Sequence, residues 1–363
     1  MIPYAKHKLE AEDIIEVIRV LQGPNITQGA MIDWFEDEFR KAVGAKYAVA
    51  VSSGTAALHA SLMAIGIGPG DEVIVPSMTF VATANVIKYL NATPIFADID
   101  PETLLVDPED IEKKITNKTR AVIVVDFAGQ PVDYSAIKEI CERYHLILIA
   151  DACHSLGATY KGENVGKLAD LNCFSLHATK LITSAEGGVI TTDDKYYYEK
   201  MKSFRNHGRI NGDMVLLGYN YRMTHLQAAL CINQIKRIPN LVIARQSIAN
   251  FYDNQFKELG IKFLKQEVDR TNARHIYVIF AKYRDALRTK LEVYSVGSQI
   301  HYKPITLQSY YNCPGSTPIA EDIWRSILTI PLYHHLTENE QKTVVMALKL
   351  ASEYIEHFEG KQP

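Results

Sequence analysis

The chain has 363 residues, of which 47% are hydrophobic, and its formal net charge at pH 7 is −3. A chain of this length and composition is expected to form about two globular domains with a large buried core. The slightly acidic balance argues against nucleic-acid binding, which usually requires a basic domain. No apolar stretch reaches the roughly 18 residues of a membrane span, so no membrane contact is expected.

The cysteines and the N-terminus indicate the cellular compartment. The five cysteines are scattered along the chain and form no CxxC pair. This pattern argues against a disulfide framework and against a zinc site, and no metal is expected. Residues 1–4 open neither a basic nor an apolar region of the kind found in secretion signals. We therefore expect a cytoplasmic protein with reduced thiols.

Two helices are predicted first, over residues 11–22 and 31–43, with a glycine- and proline-containing loop between them. Strands and helices then alternate. The strands are expected at residues 47–51, 73–76, 94–97, 121–126 and 146–150, and the helices at residues 55–66, 80–90, 108–115 and 134–143. Alternation of this kind predicts an α/β fold with a mostly parallel sheet covered by helices on both faces.

The pattern changes in the second half of the chain. Helices are predicted at residues 195–204, 224–238, 241–259, 284–292 and 337–358, and strands at residues 189–192, 275–281 and 298–301. We interpret residues 1–239 as an N-terminal segment with a large α/β domain. Residues 240–363 are interpreted as a smaller α+β domain, with the N-terminal helix packed nearby.

Three chemically distinctive groups stand at or near the ends of predicted strands. The Ser-Gly-Thr turn at residues 53–55 opens a helix, where backbone N–H groups and the helix dipole favour an anion. Asp151 follows five apolar residues, and a buried carboxylate needs a cation nearby. Ser175 is expected at the end of a further strand, and Lys180 follows it after a mostly apolar run with small polar residues. Since parallel sheets bind ligands beyond the carboxyl ends of their strands, these groups are expected to line one pocket.

Together, an amine, a carboxylate and a phosphate-sized turn are what pyridoxal 5'-phosphate (PLP) requires. A lysine forms a Schiff base with its aldehyde, and an aspartate holds its pyridinium proton. Taken singly, each group has an ordinary alternative: Lys180 as a surface lysine, Asp151 as a helix cap, and the turn as an N-cap. His154 is either a ring contact or a structural histidine, and Phe80 either stacks on the ring or fills the core.

Other cofactors are disfavoured by the same turn. Residues 53–55 form neither a Walker loop nor a GxGxxG turn. Sites for nucleoside triphosphates and for NAD are therefore not expected, and a nucleotide-sugar dehydrogenase or epimerase is a weaker interpretation.

Nine segments, in order over nearly the whole chain, carry a similarity to known proteins: AVAVSSGTAALHAS, GIGPGDEVIVPSMTFVATANV, ATPIFADID, FAGQPVD, DACHSLGATYKG, FSLHATKLITSAEGGVITTDD, FRNHGR, GYNYRMTHLQAAL and IHYKPI. Through these segments the sequence resembles the DegT/StrS family of PLP-dependent sugar aminotransferases. The resemblance implies the fold of type I aminotransferases and a homodimer with composite active sites. Some members of the family are dehydratases with His at the position of the anchoring Lys, so Lys180 favours transamination.

The resemblance also implies roles for individual residues. Lys180 would be the Schiff-base lysine and Asp151 the partner of the pyridine nitrogen. His154 would lie near the ring hydroxyl, and Phe80 would stack on the ring. The implied phosphate ligands are Gly54, Thr55, Ser175 and, from the neighbouring subunit, Asn220.

Within the family, the nearest resemblance is to enzymes that move an amino group from L-glutamate to C4 of a UDP-linked 4-keto-6-deoxy sugar, for surface glycans of the pseudaminic acid type. The residues implied to border the sugar-nucleotide site are Tyr4, Pro24, Asn25, Ile26, Thr27, His301, Tyr302, Lys303 and Pro304. One alternative is another keto sugar, such as a 4-amino-arabinose, viosamine or bacillosamine precursor or a C3-keto sugar. Another is a non-catalytic sensor of PLP or of a sugar nucleotide, and residues 301–304 could instead be a solvated loop.

Overall fold

The computed structural model describes residues 1–358, so residues 359–363 of the predicted small domain lie outside the described part. The helices are α1 (Ala11–Gln22), α2 (Ala30–Val43), α3 (Gly54–Ala64), α4 (Val81–Tyr89), α5 (Pro108–Lys113), α6 (Tyr134–Arg143), α7 (Lys195–Phe204), α8 (His225–Ile235), α9 (Ile238–Leu259), α10 (Arg284–Val293), α11 (Pro318–Ile323) and α12 (Glu338–Phe358). The strands are β1 (Tyr47–Val51), β2 (Glu72–Pro76), β3 (Thr93–Ala97), β4 (Thr119–Val125), β5 (Ile147–Asp151), β6 (Thr159–Tyr160), β7 (Glu163–Asn164), β8 (Leu171–Ser175), β9 (Gly188–Thr192), β10 (Arg209–Ile210), β11 (Asp213–Met214), β12 (Lys262–Phe263), β13 (Tyr277–Phe280) and β14 (Ile327–Ile330).

A mixed seven-stranded sheet forms the centre of the N-terminal part, in the strand order β1-β9-β8-β5-β4-β2-β3. Neighbouring strands run parallel, except that β9 lies antiparallel to both β1 and β8. Ala121 and Ile123 of β4 belong to the core on one side of the sheet, whereas Val122 and Val124 belong to the core on the other side. Such strands are apolar on both faces because helices cover both faces.

The antiparallel strand β9 brings two strand ends together. Gly188, its first residue, pairs with Val51 at the end of β1 and with Ser175 at the end of β8. A Cβ atom added at Gly188 would lie 2.3 Å from the backbone oxygen of Ser53. The glycine therefore lets the turn after β1 cross close to the end of β8, at the same edge of the sheet as the end of β5.

The C-terminal part contains the three-stranded antiparallel sheet β12-β13-β14. Helices α9, α10 and α12 pack on it through a core that includes Tyr252, Phe256, Leu291 and Leu348. The predicted division after residue 239 falls within the first turn of α9, and it stays a prediction.

The N-terminal segment divides its contacts between the two parts of the chain. Ile2 forms a parallel bridge with Val296 next to the small sheet. Helix α1 packs against α8 instead, and Asp13 of α1 forms an ion pair with Arg237 at 2.6 Å. No helix within residues 1–358 is both long and apolar enough to cross a membrane.

The strand predicted at residues 298–301 is wrong. Gln299 exchanges two backbone hydrogen bonds with Thr329 of β14, of 3.0 and 2.7 Å, and the pairing ends there. The ring nitrogen Nδ1 of His301 lies 2.9 Å from the hydroxyl of Thr329, and the backbone N–H of Tyr302 points to the sulfur of Met78 after β2. The chain therefore leaves the small sheet and turns towards the large one.

Two further differences have local causes. The helix predicted at residues 224–238 ends at Ile235, and a new helix begins at Ile238 because Pro239 fits the first turn, where its missing N–H costs no hydrogen bond. Strand β8 was expected only through its end at Ser175, and the four-residue strand β14 was not predicted, because its sequence ILTI shows no clear alternation.

Candidate active site

The turn after β1 begins helix α3 and packs closely against Ser175 and Cys153. Ser53 caps helix α3, and its hydroxyl accepts a hydrogen bond of 3.0 Å from the N–H of Ala56. A Cβ atom added at Gly54 would lie 3.0 Å from Cβ of Ser175 and 3.3 Å from Sγ of Cys153. The glycine thus keeps open a space at the N-terminus of α3, where backbone N–H groups and the helix dipole favour an anion.

Asp151 is the last residue of β5, the middle strand of the sheet, and is 6% exposed. Its Oδ2 accepts a hydrogen bond of 2.9 Å from the hydroxyl of Thr83, and its Oδ1 accepts one of 3.3 Å from the N–H of Cys153. Within residues 1–358 it has no ion-pair partner. A buried carboxylate of this kind is suited to a cation supplied by a ligand.

Lys180 lies in the loop between β8 and β9, and its backbone N–H bonds to the carbonyl of His177 at 2.9 Å. Its amine reaches into the protein and lies 3.4 Å from Nε2 of His275. Burial lowers the pKa of Lys180, although Cys153 and Asp151 act in the opposite direction. A buried amine with a lowered pKa is what a Schiff-base lysine requires.

His154 lies three residues after the end of β5, and its Nε2 is 3.2 Å from the hydroxyl of Tyr302. Its buried Nδ1 has no hydrogen-bond partner among the described residues. Burial holds the pKa of His154 well below its usual value, and the positive charge of Lys180 lowers it further. The imidazole is therefore neutral at pH 7 and keeps one ring nitrogen free for a ligand.

One cavity of about 430 Å³ joins these groups, within the size range of ligand sites in proteins. The predicted site residues that line it are Tyr4, Gly54, Thr55, Phe80, Asp151, His154, Ser175, Lys180, His301 and Tyr302. Phe80 is 55% exposed and caps helix α4, so it does not fill the core. A ring at the rim of a cavity is placed to cover a flat ligand.

The remaining predicted residues do not line the cavity of this single subunit. Residues 24–27 form an exposed loop above α8, where the carbonyl of Asn25 lies 3.0 Å from Nδ1 of His225. Lys303 is exposed and Pro304 is buried before a 3₁₀ turn. Asn220 is exposed on a loop that bridges to Asn206.

The sequence did not single out Thr83 or His275. Thr83 lies in the first turn of α4, inside a segment that was noted for the resemblance but not for this side chain. His275 begins a predicted strand far along the chain, and no local pattern marks it as a neighbour of Lys180. Only tertiary packing brings these two side chains to Asp151 and Lys180.

The described residues fit bound PLP. Asp151 lacks a cation, His154 has an unpaired buried nitrogen, and the Cβ-free space at Gly54 is lined by hydrogen-bond donors. The amine of Lys180 opens into the same cavity. Within residues 1–358 no group of three or more His, Cys, Asp or Glu side chains is arranged to hold a metal ion.

Comparison with known proteins places the chain in a family. The model of the DegT/DnrJ/EryC1/StrS aminotransferase family matches residues 7–349. The spore coat polysaccharide biosynthesis protein SpsC of Bacillus subtilis (strain 168) is 35% identical over 374 aligned positions, which cover 96% of this chain and 96% of SpsC.

Solved structures show the same fold. Spr1654 of Streptococcus pneumoniae, described as a candidate sugar aminotransferase, is 30% identical, with a TM-score of 0.95 over 99% of this chain and 100% of that chain in its apo form; it is also solved in PLP and PMP forms. PseC of Helicobacter pylori, an aminotransferase involved in the biosynthesis of pseudoaminic acid, is 30% identical, with a TM-score of 0.91 over 97% of this chain and 99% of that chain. The type I aminotransferase fold that the resemblance implied is thereby confirmed. The chain belongs to the DegT/DnrJ/EryC1/StrS aminotransferase family of PLP-dependent transaminases.

Proposed function

We propose that this transaminase moves an amino group from L-glutamate to C4 of a UDP-linked 4-keto-6-deoxy hexose. The favoured product is UDP-4-amino-4,6-dideoxy-N-acetyl-β-L-altrosamine. The observation that carries the proposal is the single cavity that contains the amine of Lys180, the carboxylate of Asp151 and the open space at Gly54.

The cofactor would be held from several sides. Lys180 would bind it covalently, and Asp151 would accept a hydrogen bond from its ring nitrogen. Gly54, Thr55 and Ser175 would hold its phosphate at the N-terminus of α3. When bound, PLP supplies an aldehyde that carries the amino group and a ring that withdraws electrons from the reacting carbon.

Lys180 has a second role once its amine is free. The neutral amine would carry a proton from Cα of glutamate to the cofactor in the first half of the cycle, and from the cofactor to C4 of the sugar in the second half. Burial supports this role because it lowers the pKa of Lys180 and so raises the neutral fraction near pH 7. Both substrates use one site in turn, so ping-pong kinetics are expected.

The sugar would enter beside residues 301–304. His301 lies with its ring centroid 5.6 Å from that of Tyr4, and both line the cavity. Burial lowers the pKa of His301 to about 4, so the neutral ring would act as a hydrogen-bond partner of the sugar. Lys303 is exposed outside the cavity, where a cation suits the diphosphate of a nucleotide.

A homodimer would complete the site. Asn220 lies beside a loop whose apolar side chains are largely exposed, with Met214 65%, Val215 54% and Leu217 75% exposed. Exposed apolar side chains that lie together are typical of an interface. This exposure supports a second copy of the chain at the loop, with Asn220 of each subunit directed to the phosphate of the other site.

The relatives support a sugar substrate. PseC is described as acting in the biosynthesis of pseudoaminic acid, and SpsC in that of spore coat polysaccharide. The similarity to Spr1654, a candidate sugar aminotransferase, points the same way. The carrier nucleotide, the position of the keto group and the donor are the specific parts of the proposal.

A substrate panel tests these parts. The PLP-loaded protein is incubated with L-glutamate and with UDP- or dTDP-linked sugars that carry a keto group at C3 or C4, and products are identified by mass and by fragmentation. We expect an amine at C4 of a UDP-linked 6-deoxy sugar and an equal amount of 2-oxoglutarate. Amination of a C3-keto or dTDP-linked sugar alone would overturn the substrate assignment. Absence of any amine with the whole panel would overturn the proposed function.

A further inference from the structure

The side chain of His275 lies within hydrogen-bond range of the amine of Lys180. Its Nε2 lies 3.4 Å from Nζ of Lys180, at the long end of the hydrogen-bond range, and such bonds are often long in active sites without ligands. His275 is 9% exposed, and its ring centroid is 4.2 Å from that of His154. Two neutral imidazoles therefore lie together behind the reactive amine.

Hydrogen bonds from the N-terminal part and from the C-terminal part of the chain hold the backbone of His275 in place. Its N–H donates to the carbonyl of Ala128 at 3.0 Å, and its carbonyl accepts a hydrogen bond of 2.9 Å from Arg245 of α9. Gly129, at φ +100°, lets the segment with His275 lie this close to Ala128. A Cβ atom added at Gly129 would lie 2.8 Å from the backbone nitrogen of Arg274. The segment that carries His275 thus has one fixed position relative to the ends of β4 and β5.

Arg245 is an uncommon anchor for this segment. It is 2% exposed, it donates to the carbonyls of Arg274, His275 and Leu332, and within residues 1–358 it has no carboxylate partner. A buried positive charge without a counter-ion disfavours further positive charge nearby. It lowers the pKa values of both Lys180 and His275, in addition to the larger effect of burial.

The protonation of the Lys180 amine depends on the titratable and charged side chains that face it. The titratable and charged groups facing Lys180 are Asp151, Cys153, His154, His275, His301 and Arg245. Burial keeps the imidazoles of His154, His275 and His301 neutral near pH 7. A neutral His275 with its proton on Nδ1 presents Nε2 as an acceptor to the N–H groups of Lys180.

We propose that His275 is a positioning residue for Lys180, whose free amine donates a hydrogen bond to Nε2 of His275 whenever it is not attached to the cofactor. This inference rests on the proposed role of Lys180 in the transamination. A lysine side chain has four rotatable bonds, and displacement of a reacting atom by about 1 Å can cost on the order of 100-fold in rate. The hydrogen bond restricts the amine to the conformers that face the substrate.

Two substitutions separate hydrogen bonding from packing. In His275→Gln, the amide oxygen reaches the position of Nε2 and keeps an acceptor, but the ring is lost. In His275→Phe, a ring of similar shape remains, but the acceptor is lost. If His275 only fills space between the two parts of the chain, Phe is the better replacement; if it positions Lys180, Gln is the better one.

The enzyme loaded with pyridoxamine phosphate provides the readout, because Lys180 is unattached in that form. The pH dependence of Lys180 modification by an amine-reactive reagent is followed by peptide mass, and the first half-reaction with L-glutamate is timed by rapid mixing with the PLP-loaded enzyme. We expect His275→Phe to lower the apparent pKa of Lys180, since its ammonium form loses an acceptor, and to slow the half-reaction about 10- to 100-fold. His275→Gln is expected to stay within about threefold of the wild-type rate.

A control variant shows whether the loss of an imidazole elsewhere in the protein has the same effect. His335→Gln removes another partly buried imidazole, neither of whose ring nitrogens has a partner among the described residues, and should leave both readouts unchanged. If His275→Phe does not fold, His275→Asn replaces it, because its shorter amide does not reach Lys180. A wild-type labelling profile and rate in the variant without the acceptor, or equal losses in His275→Gln and that variant, would overturn the proposal. Borohydride reduction that labels a different lysine in the wild type would instead overturn the role of Lys180.

Discussion

The hydroxyl of Thr83 donates a hydrogen bond of 2.9 Å to Oδ2 of Asp151. The hydroxyl of Thr79, in the β2–α4 connection, lies 2.8 Å from the same hydroxyl, so Thr79 supports the side chain of Thr83 that holds the carboxylate at the end of β5. Side chains from a neighbouring helix thus fix the direction of a buried acid. Their support holds Asp151 in one orientation before any ligand cation is present.

Replacement of Thr83 by Val should destabilise the protein. Val has a similar shape but no hydroxyl, so the buried carboxylate of Asp151 would lose one of its donors. We expect the free energy of unfolding of the cofactor-free protein to fall by about 1–3 kcal/mol, measured by denaturant unfolding. Thr83→Ser keeps the donor and should lose less. Equal denaturation midpoints for the wild type and Thr83→Val would show that this bond contributes nothing.

Replacement of Gly54 by Ala should weaken PLP binding. The new Cβ would press on Ser175 and Cys153 and would narrow the space at the N-terminus of α3. We expect the dissociation constant for PLP to rise by roughly tenfold, which corresponds to about 1.4 kcal/mol. The matched control is Gly68→Ala, because its Cβ meets nothing within 4 Å. If both variants bind PLP as tightly as the wild type, the phosphate does not lie at Gly54.

The contribution of His301 to stability should fall as the pH is lowered towards 5. Burial and the charge of Lys180 lower the pKa of His301 to about 4 in the folded chain, against about 6.5 when unfolded. Between these values the unfolded chain binds more protons, so His301 contributes stability at neutral pH that is lost as the pH falls. The lowered pKa values of His154 and His275 act in the same direction.

The comparison is between the melting temperatures of the wild type and of His301→Gln at about pH 7 and pH 5. The wild type should lose more on acidification, because Gln takes up no proton. His301 is bonded through Nδ1 to Thr329, and Gln can keep a hydrogen bond there. Parallel pH profiles for the two proteins would show that His301 is not kept neutral by burial.

Hybrid dimers of two variants, each expected to be inactive alone, test whether residues of both subunits form each active site. If Asn220 acts in the site of the partner subunit, a hybrid of Lys180→Ala and Asn220→Ala subunits contains one site with both defects and one intact site. We expect co-expression of the two variants to restore activity to roughly half that of the wild type per hybrid dimer. Recovery of no activity, with hybrid dimers present by mass, would place Asn220 in the site of its own subunit.

The positions that could be predicted from the sequence are those marked by a local pattern. Asp151 and the turn at residues 53–55 follow apolar runs, and the ends of parallel strands meet at one edge, so their convergence follows from chain order. The cavity accordingly contains Lys180, Asp151 and Gly54 together. Helices with clear periodicity, such as α1 and α6, have the bounds that were predicted.

The rest depends on packing between distant segments. Thr83 reaches Asp151 from helix α4, which packs near β2 and β3, and His275 reaches Lys180 because Arg245 and Ala128 hold its backbone. Neither contact leaves a periodic signal in the sequence. The segment at residues 298–301 has the composition of a strand, yet the contact of Tyr302 with Met78 draws it from the sheet. Contacts of this kind are settled only when both segments are in place.

The covalent link to the cofactor is the most direct test of the account. The PLP-loaded protein is reduced with borohydride, digested and mapped by mass spectrometry, with Lys180→Ala as the control. We expect the phosphopyridoxyl group on the peptide that contains Lys180, and neither the label nor transamination in Lys180→Ala. A label on another lysine, or full transamination by Lys180→Ala, would contradict the account.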